Sequence, residues 1–345
     1  MKEIQSQNKT NSAVIPGFPR EIGGVNVENN IWLAPLAGIT FASFRRFHRA
    51  MGAGLVHTEM VSALGLKYKG RKTKELLFGS DDEAPCVLQL FGANEYDITT
   101  GAEVALGIRN FAALEVNMAC PMPKVTKKGS GSKLMEEPDE SANIVKSLKR
   151  FNMPVWVKTR IMPCASEIST EDFCEKLFAA GCDFIFLHGR TPQQRYEGAA
   201  DSVSVEKIAR KFKDKIGGSG DCYAPQDMIR YLEGGCASVL AARGVLRDVY
   251  LIPRTLARLG ADISQSLCSP DAESRIRMLL QLGENIYNNE GEGLALTIAK
   301  RMLCAIFKGF SGAAQLRQAG AMTKSWAEMT ELLLRERMRN CPLLP

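Results

Sequence analysis

The sequence predicts a barrel of eight parallel strands, each followed by a helix, with a smaller all-helical domain after the barrel. Short apolar runs alternate with helix-length segments from Ile31 to Ala241. Most of the runs are continuously apolar, which is typical of parallel strands covered on both faces. After about residue 260 the strand pattern stops and a helical period takes over. Eight strand-then-helix units predict a TIM (β/α)8 barrel.

Eight strands and six helices can be assigned. The strands are Ile31–Ala34, Leu55–Thr58, Cys86–Phe91, Leu114–Asn117, Val155–Thr159, Phe184–Leu187, Lys215–Gly218 and Ser238–Ala241. The helices are Phe41–Met51, Glu95–Leu106, Asp139–Arg150, Thr170–Ala180, Val203–Phe212 and Pro225–Glu233, with candidate N-caps at Thr40, Asn94, Pro138-Asp139 and Ser169. The seventh strand is the weakest, and without it an open doubly wound sheet would fit. The dinucleotide-binding form of that sheet needs a G-x-G-x-x-G turn after its first strand, which is absent here.

The chain divides into three predicted parts. They are a polar N-terminal arm over residues 1–20, the barrel over 21–260 and a helical domain over 261–345, in which Gly309 and Gly312 mark a break between two helices. With 345 residues, 45% of them hydrophobic, the chain can bury a full core, which excludes a small disulfide scaffold and a disordered chain. The net charge of +6 is only mildly basic.

The sequence also indicates where in the cell the protein is expected to lie. It contains no signal-peptide pattern and no apolar stretch of about 18 residues, so we expect a cytoplasmic protein that does not bind a membrane. The ten cysteines form no C-x-x-C pair and have no nearby histidine to complete a zinc set. We therefore expect reduced cysteines, most of them in the core, and no metal site.

The active site of a β/α barrel lies at the carboxyl ends of its strands, and polar or glycine-rich segments occur at each of them. They are Pro35–Gly38, Glu59-Met60, Gln89, Asn117–Pro121, Lys158–Arg160, His188–Thr191, Gly217–Asp221 and Arg243-Gly244. The last two follow strands 7 and 8, where barrel enzymes commonly hold a phosphate on backbone N–H groups. A glycine-rich turn elsewhere is more often a plain bend. Its position here favours a phosphorylated cofactor.

Two side chains in the strands bear on the chemistry. Lys158 lies in an apolar strand, where an unpaired ammonium would be costly, so it either has a partner or extends to solvent. Of the three histidines, only His188 ends a strand. His48 and His57 are better explained as satisfied structural residues.

Cys120 differs from the other cysteines because it lies in an unusually long loop, from Ala119 to Pro138. Loops of this length in compact domains are usually functional. At neutral pH a free thiol is mostly protonated, so Cys120 could donate a proton, whereas a nucleophilic role needs an activating base, for which only His188 is available. Four lysines in the loop predict a mobile cationic flap over the barrel mouth: Lys124, Lys127, Lys128 and Lys133.

In this order, the strand-end motifs resemble the dihydrouridine synthase family of flavin-dependent RNA-modifying enzymes. The resemblance runs from about Ile31 to Leu246, and the stretch Asn-x-x-Cys-Pro-x-x-Lys, from Asn117 to Lys124, is its most specific part. The other segments that carry it are Leu33–Gly38, Gln89–Gly92, Gly129–Ser132, Val157–Arg160, His188–Thr191, Gly220-Asp221 and Arg243-Gly244. The family usually has Gly, Asn, Gly, His and Pro where this sequence has Ala119, Ser219, Ala242, Met302 and Ser311.

The resemblance implies that the barrel binds FMN, which NADPH or NADH reduces. It implies flavin contacts for Pro35, Leu36, Ala37, Gln89, Lys158 and His188, and phosphate contacts for Gly218, Ser219, Gly220, Arg243 and Gly244. The implied reaction reduces the C5=C6 bond of specific uridines in RNA, with tRNA as the expected substrate. Hydride passes from flavin N5 to C6, and Cys120 gives a proton to C5. Substrate contacts are expected for Asn117, Lys124, Arg160 and Arg190.

A uridine in folded RNA has to be flipped out of its stack to reach such a site, so cationic surface must hold the rest of the RNA. Between Gly293 and Ala327 the sequence has no acidic residue and five basic ones. We expect RNA to contact four of them, Lys300, Arg301, Lys308 and Arg317, and the alternative is an ordinary solvated helix face. No obligate protein partner is indicated.

Two other functions stay open. One is an FMN-dependent dehydrogenase of a free pyrimidine, for which the basic helical domain would have no phosphates to contact. The other is an RNA-binding protein that keeps the barrel without catalysis, which would have no need of Cys120 beside a flavin pocket.

Overall fold

A computed structural model describes Ile15 and residues 21–307 and 312–340. The predicted arm over residues 1–20 lies outside this part of the chain, apart from Ile15. The described chain opens with an antiparallel hairpin of two short strands, β1 (Glu21–Ile22) and β2 (Val25–Asn26). It leads directly into the first strand of the main sheet.

The main sheet closes on itself as a barrel of parallel strands. Its strands are β3 (Ile31–Leu33), β4 (Val56–His57), β5 (Val61–Ser62), β6 (Cys86–Phe91), β7 (Ala113–Asn117), β8 (Val155–Arg160), β9 (Phe184–His188), β10 (Ile216–Ser219) and β11 (Ser238–Ala241). Neighbours in sequence pair in parallel, and β11 pairs with β3 to complete the ring. β4 and β5 are successive pieces of one barrel position, since both pair with β6. The predicted eight-stranded TIM barrel is confirmed.

The glycine-rich seventh strand, β10, is a full member of the barrel. Gly217 pairs with Ser238 on one side and with Phe186 on the other. A Cβ at Gly217 would collide with the Phe186 ring, and one at Gly218 would lie 2.5 Å from the Tyr231 ring. Aromatic side chains from neighbouring elements therefore fill the space that β10 leaves empty, which explains a strand with so little apolar content of its own.

In the part of the chain that the structure describes, ten α-helices cover the barrel. They are α1 (Ala42–Ala50), α2 (Ala63–Lys67), α3 (Arg71–Glu75), α4 (Glu95–Leu106), α5 (Pro123–Thr126), α6 (Pro138–Leu148), α7 (Thr170–Ala179), α8 (Ser202–Lys211), α9 (Pro225–Glu233) and α10 (Leu251–Arg258). Asn94 and Ser169 cap α4 and α7 as predicted. The predicted cap at Thr40 is wrong. Phe41 holds the N-cap position of α1, because the Thr40 hydroxyl instead accepts the Leu36 N–H at 3.0 Å.

The amino-terminal half of the barrel interior is filled with aromatic rings. Trp32 and Trp156 stack with their centroids 5.6 Å apart and their planes within 8°, and Phe184 and Phe186 pack against both. The β1–β2 hairpin closes this end from below, where Gly23 O accepts the indole N–H of Trp156 at 2.8 Å. The polar residues of the interior lie above this aromatic layer, toward the carboxyl ends of the strands.

After the barrel the described chain is helical. Its helices are α11 (Gln265–Cys268), α12 (Ala272–Glu290), α13 (Glu292–Ile306), α14 (Ala313–Met322) and α15 (Trp326–Asn340). The predicted break is found at Gly312, because α13 ends at Ile306 and α14 begins after Gly312. Gly309, the other residue of that prediction, lies outside the described residues. This region packs on the first barrel helix, where Ser43 N donates to Glu290 Oε1 at 2.9 Å. A division of the chain at residues 260 and 261 stays a prediction.

Of the nine cysteines in the described chain, five are buried and none is in a disulfide. None of the described helices is long and apolar enough to cross a membrane. His57 has the structural partner that was expected, Leu33 O at 2.8 Å. The same expectation is wrong for His48, which is fully buried among aromatic rings and whose two ring nitrogens have no hydrogen-bond partner.

Candidate active site

A cavity of about 390 Å³ opens at the carboxyl ends of the barrel strands. Most of the predicted site residues line it: Pro35, Leu36, Ala37, Asn117, Cys120, Lys124, Lys158, Arg160, His188, Ser219, Gly220, Arg243 and Gly244. Gln89, Arg190 and Gly218 are not on its wall. The structure therefore gathers residues from six barrel strands, far apart in sequence, around one space of the size that binding pockets for small molecules have.

Asn117 holds the turn that carries Cys120. Its Oδ1 accepts the backbone N–H groups of Ala119 and Cys120 at 3.1 and 2.9 Å, and its Nδ2 donates to Gln89 Oε1 at 2.9 Å. Cys120 itself is partly exposed on the cavity wall. The predicted contact between Asn117 and substrate is not tested by this geometry, which uses its carbonyl oxygen and one amide hydrogen within the protein.

A chain of buried polar groups continues from Asn117 into the barrel. Strand pairing places Gln89 beside Glu115, and Gln89 Nε2 donates to Glu115 Oε1 at 2.6 Å. The other carboxyl oxygen, Oε2, lies 3.6 Å from His57 Nε2, and neither atom has a hydrogen-bond partner. Gln89, Glu115 and His57 are all fully buried.

The positions of the protons in this chain of polar groups can be assigned from the group at its inner end, Leu33 O. Leu33 O can only accept, so His57 Nδ1 carries the ring proton and Nε2 is bare when the ring is neutral. Burial lowers the pKa of His57 to about 3, so the ring is neutral. Burial raises the pKa of Glu115 above its ordinary value, although the Gln89 hydrogen bond and the Lys158 charge oppose this. A proton on Glu115 Oε2 would lie between the two unpartnered atoms.

Lys158 projects into the cavity beside this chain. Strand pairing places it next to Asn117, and its Nζ makes no hydrogen bond or ion pair within the described residues. Burial lowers the pKa of its ammonium, and the nearby Glu115 carboxyl opposes that shift. The alternative of a lysine fully extended to solvent does not fit, because the side chain faces the cavity.

His188 ends the neighbouring strand, β9, and lines the same cavity. Its Nδ1 lies 3.4 Å from Ser219 Oγ, while its Nε2 is buried and has no partner. Burial and the positive charges of Lys158 and three arginines lower the pKa of His188 well below the ordinary value. His188 is therefore a neutral imidazole whose Nε2 is free to bond a group that fills the cavity.

The strand 7 and strand 8 side of the cavity is charged. Asp221 accepts from buried Arg190 at 2.6 Å and from half-exposed Arg243 at 3.3 Å. Burial alone would raise the pKa of Asp221, but its bonds with the Arg190 guanidinium and the Ala200 N–H hold that pKa below the ordinary range. Arg190 also donates to the carbonyls of residues 197 and 198, so its guanidinium braces this wall from behind.

Bare backbone lies between these charges. The described backbone hydrogen bonds outside helices and strands include none from the N–H groups of Gly220 and Asp221. A 3₁₀ turn, Arg243–Leu246, begins beside them, and the first N–H groups of such a turn have no partner within it. A Cβ on Gly244 would collide with Cys222 O, so only glycine fits there. This arrangement suits an anion.

The turn after β3 closes the third side. Pro35, Leu36 and Ala37 line the cavity, and Gly38 follows at φ +71°. The Glu59 carboxylate accepts the Gly38 N–H. Burial raises the pKa of Glu59, with the Gly38 hydrogen bond opposing. The segment after strand 2 thus fixes the turn after strand 1.

The long loop after β7 is not an open flap. It contains α5 and a 3₁₀ turn, Gly131–Glu136, and its apolar side chains Val125 and Leu134 are buried. Lys124 lines the cavity, and Lys133 pairs with Glu136 at 2.6 Å. The expectation of a mobile flap is therefore corrected to a folded loop, because its apolar residues pack down onto the barrel.

Arg160 links this loop to the loop after β9. Its guanidinium donates to Ala119 O at 2.6 Å, Arg195 O at 2.9 Å and Thr191 O at 3.2 Å, and only 3% of the residue is exposed. The predicted substrate contact stays a prediction, since the bonds that the structure gives Arg160 all position loops.

The predicted RNA contacts in the helical region differ from one another. Lys300 Nζ donates to the carbonyls of Thr323 at 2.5 Å and Ala321 at 3.1 Å, so this lysine caps the end of α14. Arg301 is exposed and Arg317 is partly exposed. Lys308 lies outside the described residues. Arg301 is therefore the most accessible of the described residues in the predicted set.

Three residues of the site were missed by sequence reasoning. Glu115 carried a signal that was available, since an acidic residue in an apolar strand needs a partner just as Lys158 does. Tyr196 and Tyr223 line the cavity rim. Both lie in loops, where neither periodicity nor strand position marks a residue as facing a cavity.

Comparison with known proteins agrees with the motifs. The family model described as dihydrouridine synthase matches residues 32–340. A Treponema pallidum protein named "Probable tRNA-dihydrouridine synthase" is 27% identical over 91% of this chain and 95% of its own length. A Synechocystis protein named "Probable tRNA-dihydrouridine synthase 1" is 28% identical over 91% of this chain and 88% of its own.

A solved structure supports the fold independently. The old yellow enzyme from Trypanosoma cruzi superposes with a TM-score of 0.53 at 10% identity, covering 74% of this chain and 94% of that one. At this identity the likeness concerns the fold alone. The family model spans nearly the whole chain. The chain belongs to the dihydrouridine synthase family.

Proposed function

We propose that this protein is a flavin-dependent oxidoreductase of the cytoplasm that reduces specific uridines in tRNA to dihydrouridine. One observation carries the proposal. Cys120 lies on the same cavity wall as two polar side chains that the protein leaves without partners, Lys158 Nζ and His188 Nε2. A binding module would gain nothing from such groups, because unpartnered polar atoms in a buried site cost stability.

The residues present fit FMN. Its phosphate suits the bare N–H groups at Gly220 and Gly244 with Arg243 nearby, and Ser219 and Gly218 support that turn. Lys158 and His188 supply the unpartnered nitrogens that a ring edge rich in acceptors and donors would satisfy, above the turn Pro35–Ala37. Gln89 lies behind Asn117 and takes part through that residue in the present arrangement. When bound, FMN supplies the hydride that reduces the uracil ring at C6.

The protein's own part in the reaction is the proton. Reduction of C5=C6 adds a hydride at C6 and a proton at C5, and Cys120 Sγ is the acid on the cavity wall. Asn117 holds the cysteine turn through two backbone N–H groups. The Lys158 ammonium stabilises negative charge that develops as hydride arrives before the proton.

The proposed substrate is tRNA. The proteins named as tRNA-dihydrouridine synthases match more than nine-tenths of this chain, including its helical region. Arg301, Arg317 and Lys324 place positive charge on that region, and no acidic residue occurs from Gly293 to Ala327. Free pyrimidines carry no phosphate for such a surface to bind.

The test is spectroscopic. Purified protein should show flavin absorbance, NADPH or NADH should bleach it, and unmodified tRNA transcript should restore it while free uracil does not. Mapping of dihydrouridine in the transcript should show the product. Restoration by free uracil would instead support a free-pyrimidine dehydrogenase, and protein that binds RNA without binding flavin would support a binding role alone.

A further inference from the structure

Five side chains at the cavity mouth form a continuous stack of alternating cations and aromatic rings, which we call the Arg-Tyr ladder. Its members, from the inner end outward, are Arg160, Tyr196, Arg243, Tyr223 and Arg247. Guanidinium carbons lie 5.8 and 4.8 Å from the Tyr196 centroid and 5.8 and 4.1 Å from the Tyr223 centroid. These separations lie within the range of cation–π contacts.

The ladder leads from the reactive cysteine to solvent. Its inner member, Arg160, donates to Ala119 O, the carbonyl that precedes Cys120. Tyr196 is 54% exposed, and Arg247 at the outer end is exposed. The stack thus connects the cavity wall with the outer surface of the barrel mouth.

The ladder has more positive charge than its surroundings neutralise. Asp221 is shared between Arg190 and Arg243, and the neighbouring Asp248 pairs with Arg254. Within the described residues the Arg247 guanidinium makes no ion pair or hydrogen bond, and it lies over the Tyr223 ring. The surface therefore offers cations for phosphates and ring faces for bases.

We propose that the Arg-Tyr ladder binds the RNA strand that flanks the flipped uridine, stacking a base on its exposed rings and pairing phosphates with its arginines. The proposal rests on the proposed function, and it adds the substrate contacts Tyr196, Tyr223 and Arg247. A flipped nucleotide stays joined to the phosphates on either side, which must lie at the cavity mouth. Aromatic rings alternating with arginines are the chemistry that holds single-stranded RNA.

The experiment compares Arg247→Gln and Tyr223→Leu with matched controls. Arg258→Gln removes another exposed arginine, on α10, and Tyr287→Leu removes a tyrosine on α12 that is 42% exposed. For each protein, affinity for unmodified tRNA transcript is measured over a range of salt concentrations. Flavin content and the rate of bleaching by NADPH are measured without RNA.

Arg247→Gln should reduce the slope of log affinity against log salt by about 0.7, the value for one lost contact with a single strand. Tyr223→Leu should weaken affinity about tenfold with little change in slope, because a stacking contact releases no counterion. Flavin content and bleaching of Arg247→Gln should equal those of the wild type, and both controls should bind RNA as the wild type does.

Three results would overturn the proposal. They are RNA affinity and slope unchanged in both variants, equal weakening in the controls, or unchanged RNA affinity with slower bleaching by NADPH, which would assign the ladder to the dinucleotide. Because Arg247 is exposed, we expect Arg247→Gln to fold normally, so it tests the proposal even if Tyr223→Leu folds poorly. Failure of the wild type to reduce uridine in any transcript would instead contradict the proposed function itself.

Discussion

The two sides of the cavity are held by different kinds of interaction. On the β7 side, the neutral amides of Asn117 and Gln89 pass hydrogen bonds inward to Glu115, whose other carboxyl oxygen lies 3.6 Å from His57 Nε2. On the β10 side, Asp221 lies among arginines beside bare backbone N–H groups. A chain of amides fixes the orientation of the side chains that it joins, whereas a cluster of ions supplies charge. The difference matches the tasks we propose, orienting a proton donor on one side and binding a phosphate on the other.

The largest effect is expected on the neutral side, from Cys120→Ala. General acid catalysis typically contributes 10²- to 10⁴-fold, so reduction of tRNA should slow by about that factor while flavin content stays the same. Cys164→Ala is the control, because Cys164 is exposed and does not line the cavity. Single-turnover oxidation of the reduced flavin by transcript RNA measures the step. Wild-type turnover in the variant would remove Cys120 as the acid.

The amide chain predicts opposite results for two substitutions of Glu115. Leu at this position leaves Gln89 Nε2 without its acceptor, which costs about 1–3 kcal/mol for a buried group and frees the cysteine turn. Gln offers an oxygen to Gln89 and an N–H to His57, as a protonated Glu115 does. We expect Glu115→Gln to keep tRNA turnover and Glu115→Leu to lose it, with turnover against pH as the measurement.

The same residue gives a pH dependence of stability. The folded state holds a proton on Glu115 above the ordinary carboxyl pKa of 4.5, where the unfolded chain has released it. The free energy of unfolding therefore falls as pH rises through the window from about 5 to about 7. Glu115→Gln cannot ionise, so urea denaturation should show a smaller decline for it than for the wild type. Equal declines would mean that Glu115 is ionised throughout.

On the charged side, Gly244→Ala tests the backbone cradle. The added methyl group would meet Cys222 O and the Leu251 side chain, so the turn has to shift, at a cost of about 1–3 kcal/mol. We expect the purified variant to lose flavin on dilution. Gly293→Ala is the control, since a Cβ there meets nothing within 4 Å. Full flavin retention in both variants would contradict an anion site at this turn.

The smallest effect on stability is expected for Arg243→Gln. Arg243 is half-exposed, at 38%, and Asp221 keeps its shorter bond to Arg190, so the loss should be below about 1 kcal/mol. Urea denaturation at low and high salt measures it. A much larger loss would show that charge, rather than the backbone, holds this wall together.

The fold could be predicted because the barrel strands are apolar runs between amphipathic helices, a pattern that depends only on local spacing. The extent of the second strand could not be predicted, since β5 continues directly into α2 without a turn signal. β10 was the weakest of the predicted strands because it has little apolar content of its own, and its packing depends on Phe186 and Tyr231.

The site was predictable where a residue type is unusual for its position. Lys158 and Cys120 were found in this way, and both line the cavity. Lys300 looked like an RNA contact because its charge is visible in sequence, while its carbonyl partners lie more than twenty residues away. The Arg-Tyr ladder brings together five residues from four segments, which no local pattern links.

The stacked indoles of Trp32 and Trp156 have a consequence for traffic through the molecule. They and the hairpin beneath them plug the barrel's amino-terminal end with fully buried rings. Any molecule that reaches the cavity then has to enter and leave through the opposite mouth. Under the proposed function, the reductant and the RNA therefore share a single entrance to the cavity.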